Sequence, residues 1–170
     1  KAAEDAANAL TFTGIGALAD ATWNVRMRIE RPGHANSAWS NTETETIDTT
    51  APTLSSPTGA PTGETTASAT VSTNEGNGTL YWVVTTSATQ PTGTQIKAGQ
   101  NHLGAAASDS GSQAVTASGV QATAIAEGLT AATVYYAHFV QDDALLNTSA
   151  VASSSAVTTS AVRTFTSGGD

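Results

Sequence analysis

Cysteine is absent, methionine occurs once, and only 12% of the 170 residues are charged and 5% aromatic. Without cysteine there is no disulfide framework and no thiolate metal site. Six Lys and Arg stand against fourteen Asp and Glu, for a net charge of −8 and a pI near 4.6. That balance argues against a nucleic-acid partner, because neutralising phosphates takes clustered basic side chains. The apolar runs are far shorter than the roughly 18–20 residues of a membrane helix, so no membrane insertion is expected. What the chain has in quantity is Ala (32), Thr (30), Ser (17) and Gly (15). So much Thr, Ser and Gly disfavours a helical bundle. The hydrophobic residues, 39% of the total, fall in short alternating runs. A flexible linker would scatter them, so the pattern predicts an ordered, all-β protein.

The clearest alternation is Thr22 to Glu30, TWNVRMRIE. Trp23, Val25, Met27 and Ile29 share one face, and Asn24, Arg26, Arg28 and Glu30 the other, as period two requires of a strand. Arg31-Pro32-Gly33 supplies turn chemistry. Trp39 to Asp48 alternates again, so the two runs form an antiparallel hairpin. Pairing Arg28 with Glu43 also pairs Arg26 with Glu45, and opposite charges across a hairpin favour that register by about 0.2–1 kcal/mol per pair. Asp48 to Gly63 then repeats Pro and Thr, with Pro52, Pro57 and Pro61. Proline lacks an N–H, so the stretch suits a linker followed by an edge strand. The domain boundary is placed at Asp48–Ala51.

Further strands are expected at Thr65–Thr73, Thr79–Ser87 and Thr133–Gln141. One or two weaker strands are expected in each of Val115–Ala126 and Ala150–Thr166. A short helix is expected near Thr92–Ala98, after Pro91 and before Gly99. Turn signals every 8–12 residues or so are the rhythm of a β-sandwich. Lys1 to Ala9 (KAAEDAANA) has no apolar core and does not read as a signal peptide. The opening reads as a segment of a longer polypeptide.

Two segments echo one another: LADATWNVRMRIE at 18–30 and LTAATVYYAHFVQ at 129–141. Leu129, Thr133 and Tyr135 have the Leu-x-x-x-Thr-x-Tyr spacing that precedes strand F in fibronectin type III domains. There the chain resembles that family of immunoglobulin-like sandwiches. Leu18, Thr22 and Trp23 match it with a shorter loop and Trp for Tyr. The linker DTTAP at Asp48–Pro52 looks like the junctions between tandem domains of this kind in bacterial surface proteins and phage tail or virion proteins. Gly78 to Gln100 is similar to the middle of such phage and prophage modules. The resemblance implies an antiparallel sandwich over residues 49–170. It makes residues 1–48 the C-terminal half, strands E to G, of a preceding domain. It further implies a tyrosine corner, with the Tyr135 hydroxyl bonded to backbone near Leu129–Ala132.

A half domain leaves the stripe of Trp23, Val25, Met27 and Ile29 without cover of its own. These four are the candidate partner-contact residues, covered by an upstream segment or by strands of a neighbouring copy. Other motifs read as structure. Gly14-Ile15-Gly16-Ala17-Leu18-Ala19 matches G-x-G-x-x-A, but a strand follows where a dinucleotide site needs a helix. His34, His102 and His138 are dispersed, and His138 reads as a surface or sheet histidine. There is no G-x-S-x-G. Asp142 and Asp143, with Asp48 in the linker, offer oxygen ligands for calcium but read by default as solvated turn carboxylates. Tyr81 and Trp82 offer a sugar-stacking pair, with at least one ring in the core. Asn36–Ser40 resembles the W-S-x-W-S element of cytokine-receptor sandwiches without its first Trp, which places Trp39 to stack on Arg26 or Arg28.

No cofactor and no catalytic residue is expected. The leading expectation is a non-enzymatic structural or adhesive module of a phage or phage-like particle, in a tail fibre, spike or surface decoration. Its partners would be other virion or surface-structure proteins, copies of itself among them, with a cell-surface glycan as a further candidate. Its place would be the virion surface or the extracellular space. The alternative is a bacterial adhesin or an accessory domain of a secreted polysaccharide-active enzyme.

Overall fold

A computed structural model describes residues 18–30, 32–122 and 126–163, in which antiparallel strands and one five-residue helix account for the regular structure. The chain separates into two compact units between Thr49 and Thr50. Among the described residues no helix is long and apolar enough to cross a membrane. Gly14–Ala17, most of the G-x-G-x-x-A match, lie outside the described residues, as does Arg31 in the hairpin turn.

The first unit holds a two-stranded antiparallel ribbon, β1 (Ala21–Val25) and β2 (Glu43–Ile47). Both strands are shorter than the alternating runs they overlap. Beyond Val25 the two arms stay joined by single contacts: Ser40 N–H donates to the Met27 carbonyl at 2.8 Å and Ser37 N–H to that of Ile29 at 3.0 Å.

The second unit contains β3 (Leu54–Pro61), β4 (Ala67–Thr73), β5 (Gly78–Thr85), α1 (Gly93–Lys97), β6 (Asp109–Val115), β7 (Gly119–Ala122), β8 (Val134–Asp142), β9 (Ala152–Ser153) and β10 (Val157–Thr158). One sheet has the order β3-β4-β7. The other runs β10-β8-β5-β6, with β9 also on β8. Every pairing is antiparallel.

Alternation decides which side chains meet between the sheets. From β4 come Ala67, Ala69 and Val71; from β5, Leu80, Trp82 and Val84; from β8, Tyr135, Ala137 and Phe139. Val115, Ala126, Leu129 and Val157 complete one buried cluster drawn from both sheets. Small residues on β4 leave room for the large rings opposite. Gly111 does the same within its sheet, since a Cβ there would stand 2.5 Å from the Trp82 ring.

The run Leu80-Tyr81-Trp82-Val83-Val84 is apolar on both faces because both are covered. Its second face packs with Val140 of β8 under Ile96 of α1, with Tyr81 against the same cluster. The helix stands where Pro91 and Gly99 bracket it. Thr92 closes a capping box: its hydroxyl accepts from Gln95 N–H at 3.2 Å, and the Gln95 side chain accepts from Thr92 N–H at 2.8 Å. The weak strands sought in Val115–Ala126 resolve into β7 and the end of β6, which begins earlier, at Asp109.

Candidate functional site

The ribbon of the first unit exposes its apolar side chains. Trp23 is 37% exposed, Met27 44%, Ile29 72% and Trp39 55%; Val25 is half-buried. Met27, Arg28, Ile29, Ser37, Trp39 and Ser40 line an open groove of about 470 Å³. The Arg28 guanidinium lies 4.7 Å from the centre of the Trp39 ring and pairs with Glu30. The stacking expected of Trp39 is therefore present, made by Arg28.

The hairpin register differs from the expected one by three residues. Val25, not Arg28, stands opposite Glu43, and Trp23, not Arg26, opposite Glu45. Two local competitors account for the slip. The Ser40 hydroxyl accepts from Met27 N–H at 2.9 Å, and the Ser37 hydroxyl from Ile29 N–H at 2.8 Å. These take donors that a regular ladder would use, while Trp39 and Glu30 occupy Arg28. At its base the ribbon is tied by Trp23 Nε1–H to the Ala19 carbonyl at 3.0 Å. Asp20 adds a carboxylate that accepts from the Thr49 N–H at 3.0 Å and hydroxyl at 2.8 Å.

In the second unit the polar side chains singled out by sequence are engaged inside the fold. His138 is a sheet residue but not a surface one, for it is fully buried. Its Nδ1 lies 2.7 Å from the Ser153 hydroxyl, and its Nε2 is 3.2 Å from both the Thr85 hydroxyl and the Ser87 carbonyl. The ring thus joins β8, β9 and the end of β5. Burial holds its pKa below the ordinary histidine value; the Ser87 carbonyl offsets part of this and His102 adds to it.

Asp142 and Asp143 are buried too, and are not solvated turn carboxylates. Asp142 Oδ1 meets Lys97 Nζ at 2.5 Å and accepts from the Thr148 hydroxyl at 2.6 Å, which fastens α1 to the end of β8. Asp143 organises its own loop. Its Oδ1 accepts from Leu145 N–H and Asn147 N–H, each at 2.8 Å, and its Oδ2 from Asn147 Nδ2 at 2.7 Å. Burial pushes the Asp143 carboxyl up, but the bonds from Asn147, Leu145 and Leu146 outweigh it and hold the pKa below the usual value.

Tyr81 and Trp82 point to opposite sides of β5, so they form no two-ring platform. Trp82 is in the core and Tyr81 faces α1, 6.0 Å from Lys97 Nζ. Tyr135 is buried and its hydroxyl oxygen accepts from Thr130 N–H at 2.9 Å, the corner contact that the resemblance implies. What sequence reasoning missed are the partners that bury the acids. Lys97, one of only six basic residues, was the available signal for Asp142, and Asn147, four residues downstream, for Asp143.

The arrangement keeps ionisable groups inside the second unit to join strands and loops, and turns apolar side chains outward on the ribbon. A scan against protein-family models matches none, and a search of curated proteins returns no match.

Proposed function

We propose that the chain is a non-enzymatic structural and adhesive module of a bacteriophage or phage-like particle, a segment of tail fibre, spike or surface decoration. In this reading residues 49–170 are a fibronectin type III-like, immunoglobulin-like sandwich and residues 1–48 the C-terminal half of another. The order β3-β4-β7 against β10-β8-β5-β6, with the Tyr135 corner on Thr130, supports that architecture. Architecture alone does not give a role.

The observation that carries the role is the exposed stripe of Trp23, Met27 and Ile29, with Val25 half-buried beside it. A two-stranded ribbon is marginal in water by itself, and an apolar patch of this kind marks a protein contact. The partners are other proteins of the same structure, copies of this chain among them. The setting is a virion surface or the extracellular space.

Immunogold labelling with antibodies to the chain tests the role. Label on purified particles is expected. Label confined to bacterial cell envelopes, with none on particles, would replace this reading with that of an adhesin or an accessory domain of a secreted enzyme.

A further inference from the structure

Among the described residues the two sheets of the second unit have four edges, and three of them are blunted. β3 carries Pro57 and Pro61, and its register shifts between Ser55 and Thr58, where Ser56 takes φ 49°. β7 has four residues, and β9 and β10 two each. Prolines, bulges and shortness are the devices that keep an edge from pairing with another chain. β6 has none of them. It pairs seven consecutive residues with β5 without a shift, contains no proline and no lysine, and pairs with no other strand among the described residues.

We propose that β6 is a self-association edge, on which a second copy of this chain adds its own β6 antiparallel to the first. The strand fits itself. The register that pairs all seven residues centres on Ser112, so that Ser112 faces Ser112, Ser110 faces Ala114 and Asp109 faces Val115. No like charges stand opposite one another, and the two Asp109 carboxylates lie about 20 Å apart at the rise of an antiparallel strand, well beyond the screening length of roughly 8 Å at physiological salt.

The outward side chains are the small Ser110, Ser112 and Ala114, all exposed. Beside them an open groove of about 270 Å³ runs between α1 and Ser110–Ser112, with Gly99 close against Ser110 at one end. Each interface is isologous and closes on a two-fold axis, giving a dimer from this edge. The inference stands on the edge alone and does not need the chain to belong to a particle.

The chain has no cysteine, so one introduced thiol reports one position. Four variants of the full chain are made: Ser112→Cys, Ser110→Cys, Ala114→Cys and, as an exposed control outside β6, Ser155→Cys. Under mild oxidation Ser112→Cys is expected to cross-link to itself. Ser110→Cys mixed with Ala114→Cys is expected to give the heterodimer well beyond the share that random pairing of the two would produce. Sedimentation velocity of the unmodified chain should show a concentration-dependent dimer, and Ser112→Lys, which sets two ammonium groups face to face, should abolish it while far-UV circular dichroism is unchanged. A monomer at every concentration would overturn the proposal, and so would cross-linking at Ser112 no faster than at Ser155. Neither result bears on the immunogold test of the particle reading.

Discussion

The Tyr135 hydroxyl accepts the backbone N–H of Thr130 at 2.9 Å, across the corner that leads into β8. Tyr135 is 3% exposed, whereas Thr130, which supplies the amide, is exposed, so water can partly replace the oxygen if it is removed. Tyr135→Phe is expected to keep the fold and to lower stability by about 0.5–1.5 kcal/mol, the net worth of a typical intramolecular hydrogen bond. Urea unfolding followed by tryptophan fluorescence measures it.

Gly111 sits under the Trp82 ring, with 2.5 Å between the ring and any Cβ placed there. Gly111→Ala forces the ring or β6 to move. Overpacking of this kind costs about 1–3 kcal/mol, and the same urea titration should show the midpoint fall. Ser112→Ala, one residue along and exposed, is the control that should change little.

His138 ties protonation to stability. Its folded pKa is lowered, chiefly by burial, so the unfolded chain binds the proton more readily. The stabilisation is complete above the unfolded value of about 6.5 and is lost as pH falls below it toward the folded pKa. His138→Gln should remove that part of the pH dependence. Thermal unfolding of both proteins between pH 8 and about pH 5 should give curves that converge as pH falls; parallel curves would contradict the assignment.

Asp143 holds the Asp143–Asn147 loop through its carboxylate, and Leu146 within it has φ 68°. Asp143→Ala should free the Leu145 and Asn147 amides, so their hydrogen exchange should accelerate while that of Phe139 and Val140 in β8 is unchanged. In the unmodified protein the carboxyl's lowered pKa means the loop loses this support only as pH drops below the ordinary aspartate value, through the folded pKa.

Local rules made much of the second unit legible from its residues. Alternation in TTASATVST and TVYYAHFVQ gave β4 and β8, Pro91 and Gly99 bracketed α1, and the Leu129-Thr133-Tyr135 spacing anticipated the corner. Properties set by distant neighbours were not legible. Burial of Asp142 depends on Lys97 arriving from a helix packed on the far face of the sheet. Burial of His138 depends on Ser153 and Ser87, 15 residues after it and 51 before it. The ribbon's register was misread because charge pairing was weighed without the serine hydroxyls, which take the backbone donors of Met27 and Ile29. Membership of the candidate stripe came from period two and its lack of cover from the half-domain reading; Trp23, Met27 and Ile29 are exposed.

Hydrogen exchange at residues 22–30 of the 170-residue chain, read as a function of concentration and again in the assembled particle, tests most directly that the ribbon is a partner-contact surface. Fast exchange in the dilute chain and strong protection in the assembly are expected, and Trp23→Ala should abolish the protection without destabilising the second unit. Strong, concentration-independent protection of these residues in a monomer would show that the ribbon is self-sufficient and would contradict the reading.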